Sequence, residues 1–327
     1  MKRILLVWYT EHENFGDVLI YQTLRQRLEE AGHCTGFISV DLPCHEIIEE
    51  AGHYDFLLFA GGGIIERGVP NVIRYFMEDY KQLSVPYGVV GLSIGEFDYT
   101  RYQKEISFWV EHAEFFYTRD QYTAEYLNRM CQAPIARESV DVVFLSQIKP
   151  ERNDGCHNTG ISIRDIPYPD LYQDMDWDLL EDICKKLHIN YLIGDESPKA
   201  TEIARRLQQE KEAPKFEELS MQEKTRHVIA EIQTCDKVIA MRYHVVLVAA
   251  LSGVPAIPIC YCPKVQRLAE QLGIEELAIM PEEIERIPAI MQCLDDRKKW
   301  QMIMRDSVER MRHQADLMLQ EVLNSLK

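Results

Sequence analysis

The chain is short of basic charge. Its 36 lysines and arginines stand against 53 aspartates and glutamates, a formal net charge of −17 over 327 residues. Gripping a phosphate backbone needs a surplus of cations, so the imbalance argues against a nucleic-acid partner. A small anionic substrate remains admissible if its site is locally positive. Long apolar runs are also missing: nothing approaches the ~18 consecutive apolar residues of a membrane-spanning helix. Peripheral membrane contact stays open. The apolar stretch Ile4–Tyr9 has the length of a buried strand and is too short for a signal h-region, so the expected location is the cytoplasm.

Signatures of resident metals and of common nucleotide-binding loops are absent. The chain has no HxH or HExxH pattern and no Walker sequence, and its first strand-to-helix turn lacks GxGxxG. Neither cofactor nor metal is therefore expected. The nine cysteines form no CxxC pair and read as reduced thiols. Cys260 and Cys262 flank Tyr261 and, on a strand, would point to opposite faces, which argues against a chelating pair. Oligomeric state is not specified by any of these features.

What is present is an α/β rhythm. Hydrophobic residues make up 46% and charged residues 27%, a globular balance, and 327 residues suffice for two cores. In the first half, strands are expected at Ile4–Tyr9, Thr35–Val40, Phe56–Ala60, Tyr87–Leu92, Phe115–Thr118 and Val140–Leu145. Helices are expected at Val18–Glu30, His45–Ala51, Asn71–Gln82, Gln103–His112 and Gln121–Met130. Continuous apolar strands alternating with helices indicate a parallel sheet covered on both faces. The polar stretch Lys149–Gly155 is the best linker, after which the pattern restarts. Strands follow at Thr159–Ile163, Tyr191–Ile193, Lys237–Ala240 and Ala256–Ile259, with helices at Trp177–Leu187, Ile203–Gln209, Gln222–Ile232 and from about His244. The expectation is an α/β protein of two Rossmann-like domains, 1–150 and 151–327, facing each other across a cleft. Asp296–Leu326 reads as a long terminal helix, expected to pack on the body, with a return to the first domain as one way of doing so.

Several junctions carry candidate chemistry. Asn14-Phe-Gly-Asp17 follows the first strand and opens the first helix. There Asp17 is either an N-cap or, with Asn14, a ligand-facing residue at the carboxyl end of a strand. Gly61-Gly62-Gly63 permits close backbone approach and offers N–H groups to an anion or a sugar hydroxyl. Gly91-Leu-Ser93-Ile-Gly95 repeats that logic after the next strand. Arg119, in Thr118-Arg-Asp120, and Arg164, after Gly160-Ile-Ser-Ile, end two further strands, each either reaching a ligand or held in a structural ion pair. The densest cluster lies in Met241–Lys264, where Arg242, His244 and Lys264 come from the two ends of one helix–strand unit. A histidine at a helix start opposes the helix dipole when charged, so an acid–base role gives it a reason to be there.

Taken in order, these motifs, with Asp141, Gly253-Val-Pro255 and Tyr261-Cys-Pro-Lys264, resemble the polysaccharide pyruvyltransferases over roughly residues 1–275. The resemblance implies a type B glycosyltransferase-like arrangement, phosphoenolpyruvate as co-substrate and donor, and a sugar of a cell-surface polysaccharide as acceptor. Two departures touch the first domain: the acidic loop Thr10-Glu-His-Glu and Val18 after Asp17. Phosphoenolpyruvate carries a phosphate and a carboxylate on three carbons, which suits arginine forks plus a point charge. Arg119, Arg242 and Lys264, with Arg164 in reserve, are the expected donor-binding residues. His244 is the expected acid and Asp17 the expected base, with Asn14, Gly61, Gly62, Gly63 and Ser93 on the acceptor or anion loops. The alternatives are a glycosyltransferase or sugar-nucleotide epimerase of the same architecture, or a non-catalytic binding protein.

Overall fold

The computed structural model describes residues 1–9, 14–65, 68–150, 158–166, 175–189, 191–193, 202–203, 206–207, 220–294 and 296–327. It divides into two compact units, Met1–Ser146 with Met311–Lys327, and Gln147–Arg310.

The first unit is built on a six-stranded parallel sheet of order β2-β1-β3-β4-β5-β6. Its strands are β1 (Arg3–Trp8), β2 (Cys34–Ser39), β3 (Phe56–Ile65), β4 (Tyr87–Ile94), β5 (Phe116–Thr118) and β6 (Arg137–Glu138). The central strands form where the chain is apolar without alternation: Ile4–Val7 and all of β4 are buried. Such strands need cover on both faces, and helices α1 (Phe15–Glu30), α2 (Cys44–Ala51), α3 (Gln103–Glu111) and α4 (Gln121–Cys131) supply it. One side of the core is an aromatic cluster, in which Phe59 meets Phe76, Tyr87 and Trp109 edge-to-face at 6.3, 6.1 and 5.1 Å.

Two expectations change. Val140–Leu145 is not a strand. Asp141 caps a 3-10 turn, Val142–Leu145, by accepting from the Val143 amide at 3.0 Å, and this turn packs against α1. Its run is apolar because all four residues are buried, and burial alone does not distinguish a strand from a turn. Asn71–Gln82 is not one helix either. It is broken at Tyr75 (φ −102, ψ 0) into Asn71–Arg74 and Phe76–Asp79, followed by a 3-10 turn at Tyr80–Gln82. Strand β6, two exposed residues long, carries no apolar pattern that could have announced it.

The second unit holds a four-stranded parallel sheet of order β10-β9-β7-β8. Its strands are β7 (Asn158–Ser162), β8 (Tyr191–Leu192), β9 (Cys235–Ala240) and β10 (Ala256–Pro258). Around them lie α5 (Trp177–Lys186), α6 (Met221–Gln233), α7 (Tyr243–Leu251), α8 (Pro263–Leu272) and α9 (Ile287–Cys293). Every residue of α7 is buried, which explains a helix that is apolar all round. The expected linker and the expected Ile203–Gln209 helix lie partly outside the described residues.

Helix α10 (Arg297–Ser325) closes the chain. In the second unit Trp300 donates to the Cys293 carbonyl at 3.1 Å and Gln301 to the Gly253 carbonyl at 2.9 Å. In the first, Arg312 donates to the Ser146 carbonyl at 2.7 Å, Arg27 pairs with Asp316 at 3.3 Å, and Glu321 takes Arg137 at 2.9 Å and the Tyr117 hydroxyl. Among the described residues, no helix is long and apolar enough to cross a membrane.

Candidate functional site

In both sheets the candidate residues sit at the carboxyl ends of neighbouring strands, around the point where strand order reverses. That edge is where open parallel sheets bind ligands. In the first unit the reversal lies between β1 and β3; in the second, between β7 and β9.

Asn14 caps α1, accepting from the Gly16 amide at 3.2 Å. Asp17 is therefore not the cap but a residue of the first helical turn. Its carboxylate accepts from the Asn14 side-chain amide at 2.9 Å, and both residues are half-buried. The three glycines lie within β3 instead of in a loop after it. Gly61 (φ +46) and Gly62 (φ +74) are left-handed, and the β3–β4 register shifts just beyond them. A β-carbon on Gly62 would come within 3.4 Å of Asp17 Oδ1, so Asn14, Asp17 and Gly62 form one group at the reversal point.

Next along the edge, Ser93 and Arg119 meet. The Arg119 guanidinium donates to Ser93 Oγ at 2.7 Å and pairs with Asp141 Oδ2 at 3.4 Å. Ser93 is fully buried, as is the Asp141 side chain, and Arg119 is 3% exposed. Asp141 is divided between two tasks, with Oδ1 capping the 3-10 turn and Oδ2 facing Arg119. Gly91 (φ +65) lies against this turn: a β-carbon there would stand 2.9 Å from Val142 Cγ1. Asp120 caps α4 through the Thr123 amide at 2.8 Å, as its place in the sequence suggests.

The second unit gathers cations. Arg164 follows β7, and Arg242 follows β9 as the N-cap of α7, of which His244 is the second residue. Lys264 is the second residue of α8, just past β10. Neither helix has a side-chain N-cap, and Pro263 opens α8 without an amide hydrogen. Arg242, Arg164 and Lys264 are half-buried; His244 is buried with its ring 5.0 Å from that of Tyr243. Arg164 lies 5.7 Å from the Tyr261 ring centroid and its NH1 3.4 Å from the Tyr261 hydroxyl. Burial pushes the Cys260 thiol up to about 12, which withdraws it as a thiolate nucleophile.

The structure thus brings Asn14 and Asp17 to Gly62, and Ser93 to Arg119, in the first unit. It places Arg164, Arg242, His244 and Lys264 along one sheet edge of the second. Two participants had no assigned role in the sequence reading. Asp141 stands 22 residues from Arg119, and only the fold shows that they pair. Tyr261 belongs to the strand-end segment Tyr261-Cys-Pro-Lys264, a position that could have nominated it.

Two Rossmann-like parallel α/β units followed by a long C-terminal helix give the chain a fold like that of type B glycosyltransferases. The chain belongs to the polysaccharide pyruvyl transferase family, whose sequence model matches residues 14–263. No curated protein matches it in sequence. Among solved structures it is similar to Anabaena HepE in complex with UDP-glucose (TM-score 0.60, 14% identity, 100% of this chain and 99% of that one). It is also similar to a glycosyltransferase from Rickettsia africae (0.58, 13%, 98% and 97%) and to S. aureus MnaA with UDP (0.57, 11%, 93% and 91%). These likenesses are of fold.

Proposed function

We propose that this pyruvyltransferase-family protein moves the pyruvyl group of phosphoenolpyruvate onto a sugar of a cell-surface polysaccharide or its precursor, forming a cyclic ketal. The observation that carries the reading is the placing of cations at positive helix ends. Arg242 caps α7, His244 lies in its first turn, and Lys264 lies in the first turn of α8. A cation at a helix N-terminus opposes the dipole by roughly 0.3–1 kcal/mol. Such positions are poor for stability and suit a bound anion, which meets side-chain charge and backbone N–H groups together.

In this reading Arg164, Arg242 and Lys264 take the donor's phosphate and carboxylate. Arg119 is the remaining expected donor-binding residue; in the first unit its guanidinium is oriented by Ser93 and Asp141. His244 protonates the donor methylene, C3, leaving an oxocarbenium-like C2. An acceptor hydroxyl adds to C2 as Asp17 takes its proton. The C2–O bond to phosphate breaks, inorganic phosphate departs, and a neighbouring hydroxyl closes the ring on C2, its proton passing to His244, which gave up its own to C3. Asn14 holds Asp17, while Gly61, Gly62, Gly63 and Ser93 line the acceptor or anion side.

The test is phosphate release from phosphoenolpyruvate across a panel of sugar acceptors, with ketal formation followed by mass. A thermal-shift comparison of phosphoenolpyruvate with nucleotide sugars separates this reading from a nucleotide-sugar enzyme of the same fold. Stabilisation by a nucleotide sugar alone, with no phosphate release, would overturn it.

A further inference from the structure

We propose that Tyr261 is a positioning residue for donor binding: it draws the Arg164 guanidinium across the end of β9 and holds it at the level of the Arg242 turn. The proposal rests on the reading that this sheet edge takes an anionic donor.

Three strands deliver their residues at one level. Ser162 of β7 lies beside Ala240 of β9, and Ala240 beside Pro258 of β10. Arg164 comes two residues past Ser162, Arg242 two past Ala240 and Tyr261 three past Pro258. In the sheet order β10-β9-β7-β8, β9 separates the strands that lead to Tyr261 and to Arg164. Two steps of ~4.8 Å put those strands about 10 Å apart. The side chains nonetheless meet, the Arg164 guanidinium donating to the Tyr261 hydroxyl at 3.4 Å. Their contact therefore spans the end of β9, where Arg242 is the N-cap residue of α7.

The two partners are held unequally. Tyr261 is 4% exposed, and its backbone amide donates to the Ile259 carbonyl at 3.0 Å. Arg164 is half-buried, and among the described residues no carboxylate pairs with it. In a chain with 53 acidic residues, a cation drawn out of water without a carboxylate is costly unless an anion completes the site. Its other hydrogen bond is local, from Nε to the Asp165 carbonyl at 3.3 Å. The guanidinium carbon stands 5.7 Å from the Tyr261 ring centroid, near the ~6 Å limit of cation–π attraction, so the hydroxyl is the stronger tie. With one N–H on Asp165 and one on Tyr261, the remaining donors of the fork are left for a phosphate or a carboxylate. An arginine already tied down loses less freedom on gripping an anion than one that swings in water, which is what a positioning residue contributes to affinity.

The test is a double-mutant cycle on the full chain, read by titration calorimetry with phosphoenolpyruvate and, separately, with UDP. Tyr261→Phe removes the hydroxyl and keeps the packing. It is expected to melt like wild type and to bind phosphoenolpyruvate about three- to ten-fold more weakly. Arg164→Ala is expected to weaken binding by about 10- to 100-fold. Because Tyr261 acts only through Arg164, adding Tyr261→Phe to Arg164→Ala is expected to weaken binding no further. In turnover, Tyr261→Phe should raise KM for the donor more than it lowers kcat. Native donor affinity in Tyr261→Phe overturns the proposal. So do additive losses in the double variant, a loss confined to kcat, or a wild type that binds neither ligand. A wild type that ignores phosphoenolpyruvate yet binds UDP with the same non-additive pattern would overturn the phosphoenolpyruvate reading and keep the role of Tyr261.

Discussion

Arg119 and Asp141 form a buried ion pair at 3.4 Å that ties the end of β5 to the 3-10 turn beneath α1. Breaking such a pair by deleting one partner leaves the other charge stranded, at a cost of about 3–5 kcal/mol. Asp141→Ala is therefore expected to lower unfolding free energy by that amount. Asp141→Asn, which keeps an acceptor for the Val143 amide, should lose less. Urea denaturation of the three proteins measures this, and a loss under about 1 kcal/mol for the alanine variant would mean that the pair is not what holds the turn.

Gly91 tolerates no side chain. Its φ of +65 is strained for other residues, and the added methyl would stand 2.9 Å from Val142 Cγ1. Gly91→Ala is expected to cost roughly 1–3 kcal/mol. Equal melting temperatures for the variant and wild type would contradict this.

Under the proposed chemistry, His244→Ala should abolish phosphate release while circular dichroism stays native. Near-normal turnover would remove His244 from the mechanism. Arg242→Ala and Lys264→Ala should each weaken phosphoenolpyruvate binding by about 10- to 100-fold, the worth of one charge-assisted hydrogen bond at ~1.5–3 kcal/mol. Titration calorimetry with the donor alone reads this without relying on turnover.

Burial pushes the thiols of Cys44, Cys184 and Cys260 up to about 12. In the unfolded chain they ionise near ~8.5. The folded value is the higher, so this contribution to stability is complete below about pH 8.5 and is lost as pH rises towards 12. Urea midpoints should hold steady from about pH 7 to 8 and fall above about pH 9. At pH near 8, a thiol reagent should modify exposed Cys34 and Cys293 well before the three buried cysteines. Equal labelling rates, mapped by mass spectrometry, would defeat the burial argument.

The fold was legible where burial dictates composition. Strands β1, β3 and β4 are apolar on both faces because both faces are covered, and α7 is apolar all round for the same reason. Val140–Leu145 misled for the same reason, since a buried turn is as apolar as a buried strand and Asp141, its cap, is a single polar residue. The candidate residues were legible as positions near strand ends: Asn14, Ser93, Arg119, Arg164, Arg242 and Lys264 close or follow strands, whereas Gly62 lies within β3. What each side chain touches was not legible. Arg119 finds Ser93 and Asp141, and Arg164 finds Tyr261 97 residues away, through sheet order that local pattern does not encode.

The first unit is assembled from both extremes of the chain, with residues 311–327 supplying Arg312 to Ser146, Asp316 to Arg27 and Glu321 to Tyr117. During synthesis those seventeen residues leave the ribosome after all of 147–310 has been made. At ~5–20 residues per second that delay is roughly ten to thirty seconds. For that interval the nascent first unit lacks the side of its core that Ala315, Met318 and Val322 will fill, and the apolar surface awaiting them is where a chaperone would find its hold.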